Sequence, residues 1–197
     1  MSLKRFIGKF LLRVTGWKIV GPPVSGKVIF AVFPHTSNCD FFIGKIVSLY
    51  LAMPVYFMIK REAFFPPLGY ILKSMGGIPI DRKKPVNAVV DTINALKGKD
   101  NFALVIAPEG TRKRIAEWKP GFWFIASNTN TPIIAVGLNY QTKTLYLSEP
   151  IFPTKNRKED YNRIYTAFQS MNLMGKYPDR YVLPTQYNLN DNEKSVG

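Results

Sequence analysis

His35 is the only histidine in the chain, so any imidazole acid–base chemistry must run through it. An unperturbed imidazole titrates at about 6.5, which suits a general base near neutral pH. Such a base needs a partner for its second ring nitrogen, usually a carboxylate. Asp40 lies five residues on, past Thr36, Ser37, Asn38 and Cys39. Within one regular helix, residues five apart point about 140° from each other. Across a strand–turn–helix junction the chain folds back, and the two side chains can meet. The same residues also fit a plainer arrangement, in which His35 ends a strand and Asp40 complements the helix dipole. His-x4-Asp alone does not choose between them. A second block, Ala107-Pro108-Glu109-Gly110-Thr111-Arg112, is followed by Lys113 and Arg114. Its glycine lets the backbone approach a ligand, its arginine offers a fork for phosphate oxygens, and Thr111 adds a hydroxyl. Read by itself, such a block is ordinarily a surface turn after a strand with solvated charges. A third block, Gly76-Gly77-Ile78-Pro79-Ile80-Asp81-Arg82-Lys83-Lys84, is another glycine-flanked strand ending in cations. Cys39 or Ser37 with His35 is the pairing a thiol or serine hydrolase would need.

These residues must be positioned by elements that the hydrophobic pattern outlines. Residues 27–33 form a short apolar run of strand type, and 34–38 form a turn rich in helix N-cap residues. A helix follows from about Cys39 to Ala52, broken before Pro54, then a buried strand over 55–59. A helix near 67–75 is opened by proline and closed by Gly76-Gly77, and 78–80 is a brief strand. Val86, Val89, Val90, Ile93 and Leu96 have helical spacing over 86–97, ending at Gly98. Strands at 102–107, 132–139 and 144–147 and helices near 121–127 and 158–171 complete the pattern. Alternating strands and helices predict an α/β sandwich with a largely parallel or mixed central sheet flanked by helices. Ligands in such sheets bind beyond the carboxyl ends of strands. His35 and Glu109 both follow apolar runs by two or three residues, so one crevice can hold both.

At 197 residues the chain is the size of one domain, and such a chain buries about 70% of its unfolded surface. One cysteine excludes an intramolecular disulfide framework, and one histidine argues against a multi-ligand zinc site. The expected setting is intracellular. Lys and Arg number 27 against 13 Asp and Glu, a net charge of +14. That charge favours an anionic partner: nucleic acid, a membrane surface or a phosphorylated small molecule. No zinc-finger spacing, RNP-type aromatic signature or basic heptad region supports nucleic acid, and none is expected as a partner. The first 18 residues place Leu3, Phe6, Ile7, Phe10, Leu11, Val14 and Trp17 at helical spacing, with Lys4, Arg5, Lys9 and Arg13 on other faces. An N-terminal basic amphipathic helix of this kind suits a bilayer interface. Charges interrupt it throughout, unlike a signal peptide. Two longer apolar stretches, 41–59 and 120–142, are broken by Pro54 and by Ser127 to Pro132, so neither reads as a membrane span. The expected organisation is a membrane-surface helix over 1–18, a catalytic domain over 19–187 and a polar tail over 188–197.

Taken together, the blocks resemble the glycerolipid acyltransferase family, whose best-known members are the 1-acylglycerol-3-phosphate (lysophosphatidic acid) acyltransferases. The resemblance runs from about Phe33 to Leu138. His35 to Asp40 matches the family's His-x4-Asp catalytic block, and Glu109-Gly110-Thr111-Arg112 is identical to its third block. Gly76 to Arg82 looks like the second, with Pro79 where an aromatic is commoner, and Thr131-Pro132-Ile133-Ile134 resembles the fourth. Cys39 stands where close relatives have tryptophan, which changes packing beside the dyad. The resemblance implies an O-acyltransferase that uses His35 as base and Asp40 as its orienter, with no acyl-enzyme. The donor is acyl-CoA or acyl-carrier protein and the acceptor a lysophospholipid. It further implies that Arg82, Glu109, Gly110, Thr111 and Arg112 bind the acceptor head group, and that Pro132 belongs to the acyl-donor pocket. No metal or redox cofactor is implied, and the enzyme would sit peripherally on the cytoplasmic face of a membrane. A non-phosphatidate lyso-lipid, such as an amino-acid-containing one, is the alternative acceptor. A basic membrane- or nucleic-acid-binding protein without catalysis is the non-enzymatic alternative.

Overall fold

Side chains alternate across a strand, so each strand here divides its apolar residues between two cores. In a computed structural model, residues 2–81, 83–115 and 117–183 are described. Their helices are α1 (Leu3–Thr15), α2 (Cys39–Leu51), α3 (Leu68–Ser74), α4 (Pro85–Leu96), α5 (Gly121–Thr129) and α6 (Arg157–Gln169). The strands are β1 (Lys18–Val20), β2 (Lys27–Phe33), β3 (Val55–Lys60), β4 (Gly77–Ile80), β5 (Phe102–Ile106), β6 (Ile133–Asn139) and β7 (Thr144–Leu147). They form one seven-stranded sheet in the order β1-β7-β6-β2-β5-β3-β4. The run from β6 to β4 is parallel throughout. β7 reverses against β6, and β1 runs with β7. The mixed α/β sandwich expected from the sequence is thus the observed fold.

On one face, Val28 and Phe30 of β2, Ala103 of β5 and Val136 of β6 pack beneath Ile43 and Val47 of α2 and Leu12 of α1. On the other, Ile29, Ala31 and Phe33 of β2 join Leu104, Ile125 and Phe168, beneath α4, α5 and α6. β2 is therefore covered on both faces, which is why its sequence, KVIFAVF, is almost continuously apolar. Gly8 is what lets α1 lie against α2. A Cβ there would sit 2.2 Å from the Tyr50 backbone nitrogen, so no side chain fits.

Two sequence expectations are corrected. The amphipathic helix stops earlier than residue 18, because Gly16 adopts φ 77° and its N–H turns back to the Arg13 carbonyl. Trp17 therefore leaves the exposed apolar stripe and is buried, with its ring edge-on to Tyr140. The residues after it form β1, a three-residue edge strand whose pattern was too short to signal itself. The proposed polar tail over 188–197 lies outside the described residues.

Candidate active site

β2 ends at Phe33 and the chain turns through residues 34–38 into α2, whose first turn carries Asp40. The Ser37 N–H donates to Asp40 Oδ2 at 3.0 Å, fixing the carboxylate against the turn it follows. The same oxygen lies 2.9 Å from His35 Nδ1. An acceptor-only carboxylate requires that Nδ1 carry the proton. Nε2 is then the free lone pair, and His35 lines the cavity described below. The Asp40 side chain is 3% exposed and the His35 ring 30%, as expected of a fixed orienter behind an accessible base. Tyr140 donates its hydroxyl to Asp40 Oδ1, so both oxygens are engaged. Burial above all, and then that bond, push the Tyr140 phenol well above its ordinary range, so it remains a donor.

β5 lies beside β2, with Ala31 paired to Ile106. The block that follows it therefore arrives next to His35. Glu109, 2% exposed, accepts the His35 backbone N–H at 2.8 Å. Burial pushes its carboxyl up to about 8, with the Asp40 charge adding to the rise and the His35 N–H opposing it. Among the described residues no Lys or Arg forms an ion pair with it. Gly110 sits at φ 62° in the turn, and Thr111 accepts the Lys113 N–H at 3.2 Å. Arg112 donates to the Asn38 side-chain oxygen, tying this loop to the turn that carries His35. His35, Asp40, Glu109, Gly110, Thr111 and Arg112 are thus brought to one edge of the sheet.

Two predicted site residues are not placed there. Arg82 lies outside the described residues, although β4, which precedes it, ends at that same edge. Pro132 is a correction. It precedes β6, and its carbonyl accepts the Ile29 N–H near the start of β2. β6 runs parallel to β2, so Pro132 stands at the amino edge of the sheet, opposite the site, and does not line the cavity.

A cavity of about 1070 Å3 is lined by His35, Asn38, Asp40 and the Gly110–Arg112 loop. One apolar arm runs between α2 and the sheet, past Phe41, Gly44, Val47 and Leu51 to Val136 and Leu138. A second lies along α4 and α5, between Val86, Val89 and Phe124. Beside Gly44 the first arm is open, since a Cβ there would meet nothing within 4 Å.

Neither Cys39 nor Ser37 is hydrogen-bonded to the imidazole. Ser37 Oγ accepts the Cys39 N–H at 3.1 Å, and Cys39 Sγ is 3.0 Å from Lys176 Nζ. That lysine, more than any other group, holds the thiol below its ordinary range. Among the described residues no three His, Cys, Asp or Glu side chains group as metal ligands. Sequence reasoning missed Tyr140, Lys176 and Asn38. Tyr140 had a usable signal: it directly follows an apolar strand, as His35 and Glu109 follow theirs within three residues. Lys176 carried none.

On α1, the exposed apolar residues Leu3, Phe6, Phe10 and Val14 share the helix with exposed Lys4, Arg5, Lys9 and Arg13. No helix among the described residues is long and apolar enough to cross a membrane.

The Acyltransferase family model matches residues 18–139. The chain is 30% identical over 139 residues to the 1-acyl-sn-glycerol-3-phosphate acyltransferase of Cocos nucifera, covering 66% of this chain and 44% of that one. It thus spans less than half the length of that relative. The crystal structure of PlsC, the 1-acyl-sn-glycerophosphate (LPA) acyltransferase of Thermotoga maritima, superposes with a TM-score of 0.59 at 18% identity, over 84% of this chain and 75% of that one. At this identity the likeness speaks to the fold.

Proposed function

This chain belongs to the acyltransferase family, and from that premise we propose that it moves a fatty acyl group from an acyl thioester to the hydroxyl of a lysophospholipid such as 1-acylglycerol-3-phosphate. The observation that carries this reading is the His35–Asp40 pair, at 2.9 Å, in the wall of a largely apolar cavity. Nε2 of His35 takes the proton of the acceptor hydroxyl as its oxygen attacks the thioester carbonyl carbon. The C–S bond then breaks, and the imidazolium returns the proton to the departing thiolate. Asp40 holds the tautomer and stabilises the imidazolium while it exists. General-base assistance of this kind contributes about 10²–10⁴-fold, and positioning of two bound substrates supplies much of the remainder. The step calls for no metal or redox cofactor.

Arg112, held by Asn38 beside the base, is suited to the acceptor phosphate, and Arg82 is assigned to the same anion from sequence. Glu109, buried behind the loop and holding the His35 backbone N–H, is suited to fixing the base in place. The arm beneath α2 is suited to the donor's acyl chain, being apolar and unfilled at Gly44. The exposed face of α1, with phenylalanines and four flanking cations, is suited to an anionic membrane surface, which would place the enzyme peripherally on the cytoplasmic face.

The test is a two-substrate assay on wild type and His35→Ala in parallel. Detergent-solubilised protein receives long-chain acyl-CoA or acyl-carrier protein and a panel of lyso-lipids, lysophosphatidic acid first, with products read by mass spectrometry. A diacylated lipid made by wild type and lost in His35→Ala supports the reading and identifies the acceptor. Free fatty acid alone, or full activity in His35→Ala, overturns it.

A further inference from the structure

We propose that Tyr140 is a positioning residue for the dyad, holding Asp40 from the side opposite His35 and anchoring that grip on the end of α1. The inference rests on the reading of His35 as general base. Asp40 is buried, and its carboxylate has two oxygens to satisfy. Oδ2 is shared by His35 Nδ1 and the Ser37 N–H, whereas Oδ1 is taken by the Tyr140 hydroxyl. With only the first two partners, both on one oxygen, the carboxylate could still rotate about its Cβ–Cγ bond. A donor on Oδ1 fixes the plane, and the plane fixes the direction in which the imidazole presents Nε2.

Tyr140 is itself held at both ends. Its N–H donates to the Met174 carbonyl at 2.8 Å. Its ring meets Trp17 edge-on, with centroids 5.1 Å apart. Trp17 is buried immediately after the Gly16 cap of α1. The helix proposed for the membrane surface therefore ends two side chains from the catalytic carboxylate. Besides His35, the ionisable groups facing Asp40 are Cys39 from its own helix, Glu109 from the loop after β5, Lys176 from the segment after α6, and Tyr140. Of these, Tyr140 is the one that gives Asp40 a neutral hydrogen bond. Removing it leaves more negative charge on the carboxylate to stabilise an imidazolium.

The experiment is Tyr140→Phe, which keeps the ring and its Trp17 contact and deletes only the hydroxyl. We expect kcat to fall about tenfold with both KM values within twofold, and the acidic limb of the kcat/KM profile to move to higher pH, so that the loss is greater at pH 6 than at pH 8. A merely structural hydroxyl would lower Tm without moving that limb. Because His35 is the only histidine, its ring signals in a tag-free sample can be followed by NMR without any assay. They should titrate at higher pH in Tyr140→Phe than in wild type. An unchanged titration and an unchanged pH limb overturn the proposal. Full activity in His35→Ala would instead overturn the general-base reading itself, so the two failures are separable. Should Tyr140→Phe fold poorly, Trp17→Phe is the second variant, loosening the seat of Tyr140 while leaving its hydroxyl. A smaller loss of kcat in the same sense is expected, and none at all would count against the anchoring role.

Discussion

Glu109→Gln should stabilise this protein in a way that depends on pH. The side chain is 2% exposed, takes one backbone hydrogen bond and pairs with no cation among the described residues. Its carboxyl titrates at about 8 in the fold, against 4.5 for the ordinary group. Because the folded-state value is the higher, the folded chain keeps the proton longer than the unfolded chain. Stability from this group is therefore intact below 4.5 and is lost as pH rises towards 8. At about 1.4 kcal/mol per pH unit, the loss is about 3 kcal/mol at pH 7 and approaches about 5 kcal/mol above pH 8. Glutamine keeps a carbonyl oxygen for the His35 N–H and cannot ionise. Urea unfolding of both proteins from pH 5 to pH 8.5 measures the difference. The fit of the new amide N–H2 in the site sets a constant offset between the curves, so the slope is the diagnostic quantity. Curves that diverge across this window, with the variant gaining as pH rises, support the argument, and parallel curves refute it. Activity measured on the same variant shows whether that gain costs function, since Glu109 holds the backbone of His35.

Gly44→Phe fills the open space beneath α2 and replaces a poor helix former, so it should fold well and shift donor preference to shorter acyl chains. Competition between C8 and C16 acyl-CoA in one reaction would show it; an unchanged ratio places the acyl chain elsewhere. Arg112→Ala should raise KM for a phosphate-bearing acceptor about 10- to 100-fold, the value of a charge-assisted hydrogen bond, while sparing the donor KM. If KM for a lyso-lipid without phosphate rises equally, the arginine serves the loop through Asn38 and not the anion. Phe6→Glu with Phe10→Glu places two acids at positions each 58% exposed, so the fold should tolerate them. Co-sedimentation with anionic vesicles should drop, and retention at wild-type levels would move the contact away from α1.

What could be seen in the sequence was local. The turn between His35 and Asp40 allows the two to meet without requiring it, the resemblance selects the pair, and the rule that strand carboxyl ends meet on one edge brings Glu109 near them. The same rule sets Pro132 apart. Its block belongs to the same sheet, but Pro132 starts a strand where His35 and Glu109 follow theirs, and parallel strands carry those two positions to opposite edges. The spacing of Trp17 continues the period of the apolar stripe of α1. The period is real, but the left-handed Gly16 ends the helix first and turns the indole inward. β1 and the reversal at β7 were not legible because strand alternation reports which face a side chain takes and says little about the direction of the strand. Direction is what brings Trp17 to the active edge: β1 runs with β7, its start pairs with Thr144, and Trp17 therefore arrives beside Tyr140. The grip of Tyr140 on Asp40 spans 100 residues of chain and depends on that reversed edge, on the Gly16 cap and on the carboxyl end of β6 together. Five residues suffice to place a base beside its carboxylate, whereas holding that carboxylate in one plane draws on four strands of the sheet, from β2 across β6 and β7 to β1.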